Sequence, residues 1–234
     1  MKAGNTSGML FVAGLAGIMI DARPAEAVPL PDPVPPATFV DVPIPGTGEA
    51  ARPELAGVML EDVTKPYDFV SGVATIFGSV QTRVVRSNLD GTLDFYWRII
   101  PAHTPRLAPI IDSTIDSFRV GGFGAIPLDA DWRNDMVGMT TPITARNFGG
   151  GFVSYLFNGL GVGNFSNYFF LDTQATAYAA VGSYDFVYGG GSIVSGSVST
   201  FAPVPETAAG LLAAMAAAGV AVLRRGQVIS AAVD

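Results

Sequence analysis

Residues 84–99 read VVRSNLDGTLDFYWRI, and they decide the fold. In the second half, Leu93, Phe95, Trp97 and Ile99 fall on one side of an extended chain, and Asp94, Tyr96 and Arg98 on the other. That period of two is the pleat of a β-strand; a helix would place apolar residues three and four apart. Ahead of it, Asp90-Gly91 supplies a residue able to take the positive φ that a tight hairpin requires. Residues 70–85 alternate in the same way and are rich in β-branched side chains. The segment therefore predicts antiparallel strands that share one apolar face.

The pattern recurs outward from there. In FFLDTQATAYA, residues 169–179, one face would hold Phe169, Leu171, Thr173, Ala175 and Ala177, and the other Asp172, Gln174, Thr176 and Tyr178. Further strands are expected over 114–120, 152–157, 184–188 and 192–201, with an early one around 38–42. Together they predict an all-β fold, a single antiparallel β-sandwich of jelly-roll type over residues 57–202, with a half-barrel as the alternative. No internal repeat of fixed period occurs, which argues against a β-solenoid.

Composition supports this reading. Only 14% of residues are charged, while Gly and Pro number 28 and 17. That mix suits strands and turns better than a helical bundle or a charged disordered chain. Cysteine is absent and His103 is the single histidine, which excludes disulfides, a thiol nucleophile and a histidine metal cage. A net charge of −7 with no basic face excludes nucleic acid as a partner.

The two ends read as targeting segments. Lys2, the apolar run 8–20 and the small residues Ala25 and Ala27 around Glu26 fit a signal peptide over 1–27, cleaved after Ala27; a buried N-terminal helix is the alternative. Residues 28–56 are a Pro-rich linker or edge segment. At the other end, residues 207–223 carry no charge and, as a helix, would be roughly 25 Å long, near the lower limit for crossing a bilayer. An Ala-rich helix packed on the domain is the alternative there. Arg224 and Arg225 follow as a stop-transfer pair, which places 227–234 in the cytoplasm and the sandwich outside. Pro203 and Pro205 keep the approach to this segment extended.

The order Val204-Pro205-Glu206, apolar run, Arg224-Arg225 resembles the PEP-CTERM sorting signal of Gram-negative bacteria, also called an ice-binding-protein C-terminal domain. Thr207 stands where that family usually has a second proline. The resemblance implies a sorting signal over 203–226 and a partner, an exosortase-like membrane transpeptidase that cuts near the motif. It also implies a place at the cell surface or in the extracellular matrix, facing the periplasm or released after processing, with a link to exopolysaccharide or biofilm. FFLDTQATAYA looks like a strand that recurs in the ectodomains of such proteins.

Three constellations could carry chemistry. Asp129, Asp131, Asn134 and Asp135, in PLDADWRNDMVG, are read as loop oxygens able to hold Ca²⁺, although the glycine and glutamate of an EF-hand loop are absent. The alternative is a solvated loop with Trp132 tucked inward. Asp112 and Asp116 with Glu61 and Asp62 could furnish a carboxylate pair for glycoside hydrolysis, as any acidic domain could. Among Tyr96, Trp97, Trp132, Tyr155, Tyr168, Tyr178, Tyr184 and Tyr188, those facing outward, Tyr96 and Tyr178 first, could stack on sugars; the alternative is core packing. No nucleophile elbow or phosphate loop is present, and no catalytic activity is inferred.

Overall fold

The structure, a computed structural model, describes residues 28–33, 39–103, 110–124 and 126–205. In chain order the strands are β1 (Val28–Pro29), β2 (Val42–Pro43), β3 (Gly57–Ser71), β4 (Ala74–Ser87), β5 (Leu93–Pro101), β6 (Ile111–Asp112) and β7 (Ile115–Gly121). They continue with β8 (Leu128–Trp132), β9 (Pro142–Gly149), β10 (Phe152–Leu160), β11 (Phe169–Thr173), β12 (Tyr178–Tyr188), β13 (Ile193–Val194) and β14 (Val198–Pro203). One turn of 3₁₀ helix spans Pro53–Leu55. No helix among the described residues is long and apolar enough to cross a membrane. The signal-peptide residues Ala25 and Ala27, the apolar run 207–223 and Arg224 and Arg225 lie outside the described residues.

The strands form two sheets of 7 strands each. The first runs β1-β8-β11-β5-β4-β3, with β6 beside β4. The second runs β13-β12-β7-β10-β9-β2, with β14 also beside β12. Every ladder between named strands is antiparallel except the short β4–β6 pair. The β4–β5 hairpin closes where Asp90-Gly91 predicted it. Gly91 has φ 78°, and Asp90 Oδ1 accepts from the Thr92 amide and hydroxyl.

The two sheets pack face to face through the alternating residues. Leu93, Phe95, Trp97 and Ile99 are all buried in the core, as the period of two required. Phe118 of β7 is the junction: its ring contacts Trp97 and Phe169 of the first sheet and Tyr184 and Phe186 of the second. Buried aromatic pairs of this kind add about 0.5–1.5 kcal/mol each beyond the area they bury.

Several expected strands are redrawn. Residues 70–85 are not one strand: Gly72 (φ 60°) turns the chain and the two arms pair as β3 and β4. Residues 169–179 are broken as well. β11 stops at Thr173, because the chain must cross there to the other sheet, where β12 begins. Thr173 fixes the crossing: its hydroxyl donates to Leu93 O and accepts from the Ala175 amide. Ala175 and Ala177 therefore do not extend the apolar face of β11. Residues 192–201 split into β13 and β14. Two prolines of the Pro-rich segment sit in edge strands, Pro29 on β8 and Pro43 on β9, where a missing amide donor is tolerated.

Truncation of the junction, Phe118→Ala, is expected to cost about 3–5 kcal/mol. Urea unfolding would show it as a lower midpoint with an unchanged slope. A loss under ~1 kcal/mol would remove Phe118 from the central role given to it here.

Candidate functional site

The functional geometry gathers on the outer face of the first sheet, where residues 44–56 lie as a strap. Gly46 lets the strap approach closely: at φ 85°, a Cβ there would sit 2.3 Å from the Trp132 ring. The Thr47 amide donates to Trp132 O, the Asn134 amide to Thr47 O, and Trp132 Nε1 to Ile44 O. The 3₁₀ turn then lowers Leu55 onto Tyr96, Tyr168 and Phe170, forming a second, smaller apolar cluster. Asp94 and Tyr96 do face away from the core, as expected, yet each is at most 2% exposed. The strap covers them, which overturns Tyr96 as an exposed sugar platform.

Two buried arginines hold the strap down. Arg133 donates through Nε and Nη2 to both oxygens of Asp135, at 2.7 and 2.8 Å. Its Nη2 also donates to Glu49 Oε1 at 2.9 Å, and its Nη1 to Leu55 O and Tyr96 Oη at 3.4 Å each. Arg52 donates to Glu54 Oε1 at 2.7 Å and to Asp172 Oδ2, with its guanidinium near the Phe170 ring. Burial works against the charge on Arg52, but Glu54 and Asp172 outweigh it and its pKa is raised. Charges this deep persist only when so compensated.

Asp172 faces Asp94 across the β11–β5 ladder. Burial, and then the neighbouring Asp172 charge, push the Asp94 carboxyl well above the usual carboxylate range. Asp172 is raised as well, chiefly by burial, with Arg52 pulling the other way. The consistent state is a protonated Asp94 donating to an ionised Asp172 that Arg52 balances. Two carboxyls in hydrogen-bond contact leave no room for a glycosidic bond between them.

Beside the strap opens a cleft of about 170 Å³. Tyr96, Tyr168 and Met136 line it, with Arg83, Arg133 and Glu49 among its polar groups. Arg83 lies 4.4 Å from the Tyr168 ring centre and pairs with Asp62 at 3.1 Å. Neither Arg52, Arg133 nor the Asp94–Asp172 pair was expected from the sequence. The available signal was scarcity: in a chain with so few charges, a charged residue amid apolar strand positions marks a buried contact.

The predicted constellations disperse. Asp129 and Asp131 are on strand β8, not on a loop, which corrects the loop reading of that segment. Asp131 Oδ1 accepts from the Gly46 and Trp132 amides, and Asp135 is taken by Arg133 and the Glu49 amide. Among the described residues, no three His, Asp or Glu side chains converge to hold a metal. Asp112 pairs with His103 at 2.6 Å, whereas Asp116 accepts from the Gly191 amide, Glu61 from Tyr178 Oη and Asp62 from Gln81. Each of these four is thus engaged with a different partner, from three different strands. Trp97, Tyr155, Tyr168, Tyr184 and Tyr188 are buried; Trp132 and Tyr178 are half-buried. Of the sorting motif, Val204 and Pro205 are described and Glu206 is not. The Val204 amide donates to Ala177 O at 3.1 Å, and Pro205 is exposed.

The raised Asp94 carboxyl has a definite consequence for stability. The folded state holds that proton more tightly than the unfolded chain, so its contribution is full at acid pH and is lost as pH rises through the folded pKa. The wild-type melting temperature should therefore fall more between about pH 5 and pH 9 than that of Asp94→Asn, which keeps the donor without titrating. Equal slopes would show that Asp94 is not held protonated.

No protein-family model matches the chain, and neither the curated proteins nor the solved structures contain a significant match.

Proposed function

We propose that the chain is an exported cell-surface or extracellular-matrix protein of a Gram-negative bacterium, a sandwich of jelly-roll type delivered by a C-terminal sorting signal. The carrying observation is the position of the motif relative to β14. β14 ends at Pro203, Val204 is still tied to Ala177, and Pro205 is exposed. The Val-Pro-Glu motif thus begins one residue after β14 and is followed in the sequence by the uncharged run 207–223 and Arg224-Arg225. An exosortase-like membrane transpeptidase could reach the exposed Pro205 without unfolding the sandwich. Extracellular polysaccharide is the surrounding such a protein would meet, and no catalytic step belongs to this reading.

Intact-mass measurement of the mature protein, from membrane and extracellular fractions of the native host, tests it. The expected chain begins near Val28 and ends near Pro205 or Glu206. A mature chain that starts at Met1 and stays in the cytosol would sink the proposal.

The cleft beside the strap favours a second reading, a glycan-binding module. Met59 and Met136 offer apolar surface in it and Arg83 and Glu49 offer hydrogen bonds, while Tyr96 and Tyr168 form its buried floor. In affinity electrophoresis through gels containing host exopolysaccharide, Arg83→Ala should weaken retardation about tenfold, or ~1.4 kcal/mol. Unchanged migration of wild type with and without polysaccharide would dismiss the module.

A further inference from the structure

We propose that the end of the sandwich from which β14 departs rests in the headgroup layer of the bilayer that residues 207–223 enter. This rests on the reading above that those residues cross a membrane. The first argument is reach. Only residues 204–206 separate the last strand residue, Pro203, from the start of the uncharged run. Three extended residues cover about 10 Å. Val204 is itself bonded to Ala177, which shortens the free part further. No linker is present to hold this end of the domain away from the surface.

The second argument is what this end displays. An apolar groove of about 480 Å³ opens there, lined by Phe123, Ile126, Pro127 and Ala175 together with Val204 and Pro205 of the departing chain. Around it lie the β4–β5 turn with Leu89, 70% exposed, and the β9–β10 turn flanked by Phe148 and Phe152. Phe39 packs on Phe148, with ring centres 4.9 Å apart. These three are the exposed phenylalanines among the described residues. Among the described residues, the large apolar side chains exposed at the opposite end, around the β3–β4 turn, are aliphatic: Val70, Val73 and Ile111.

The third argument is the company of these rings. Arg146 lies 5.6 Å from the Phe148 ring centre, and Arg119 shares a groove with Phe148 and Phe152. Rings beside arginine stems suit the membrane interface, where aromatic groups settle at headgroup depth and charged heads reach back to water. In water alone, so many exposed apolar groups at one end call for a partner. Asp90 and Asp129 border a polar pocket next to the groove. Contact therefore depends on apolar and aromatic area, not on anionic lipid.

The natural absence of cysteine makes single labelling sites unambiguous. Full-length Gln174→Cys, Val73→Cys and Ala214→Cys proteins would each carry a small fluorophore in phosphatidylcholine vesicles. Lipids bearing a spin label at the headgroup, or in the acyl chain, serve as quenchers. We expect headgroup quenching several-fold stronger at position 174, beside the groove, than at position 73, with acyl-chain quenching at 214. Quenching at 214 with no excess at 174 over 73 would overturn the proposal and leave the membrane-spanning reading standing. No quenching at 214 would overturn both.

Discussion

The meeting of Phe118 with Trp97, Phe169, Tyr184 and Phe186 is the contact on which the remaining structure depends. With few charges to place and no disulfide to staple it, the chain has only apolar burial to hold two sheets together. The aromatic junction supplies that at the centre. Its neighbours then inherit a fixed pleat, and residues of odd number on β5 and β11 are committed to the interior. The outer residues of those strands form a face that the strap can cover.

The outer face is where the chain spends its rare charges. Arg52 on the strap reaches Asp172 of the sheet and Arg133 reaches Glu49 on the strap, so these two pairs tie the strap to the sheet. Replacing such pairs by apolar groups would be tolerated in many proteins. Here they also fix register, because the geometry of each guanidinium fork admits one placement of residues 49–55. The cleft beside the strap owes its outline to that placement.

How much of this the sequence discloses depends on whether a feature is local. The inner face of β5 and the Asp90-Gly91 turn are readable because each is encoded within a few residues. The hairpin at Gly72 and the crossing after Thr173 are hidden in the sequence because the alternation persists across both breaks. Asp129 and Asp131 looked like loop oxygens because a strand with polar groups on one face resembles a polar loop. The burial of Asp94 and Tyr96 was not readable at all, since it comes from a strap some forty residues away in the chain. The sorting motif is the reverse case: its reading comes from sequence order, and the structure contributes only the end of β14 just before it.

The pairing of the first strands carries a consequence for the order of assembly. β1 pairs with β8 and β2 with β9, partners about a hundred residues later in the chain. β3, β4 and β5, by contrast, are joined in sequence by hairpins. A chain emerging N-terminus first can close the β3–β4–β5 meander early, since short loops cost little entropy to close. Its first-made strands must wait, edges unpaired, until residues 128–145 arrive. Prolines at 29, 43 and 45 suit that interval, because a segment short of amide donors makes a poor template for a neighbouring chain.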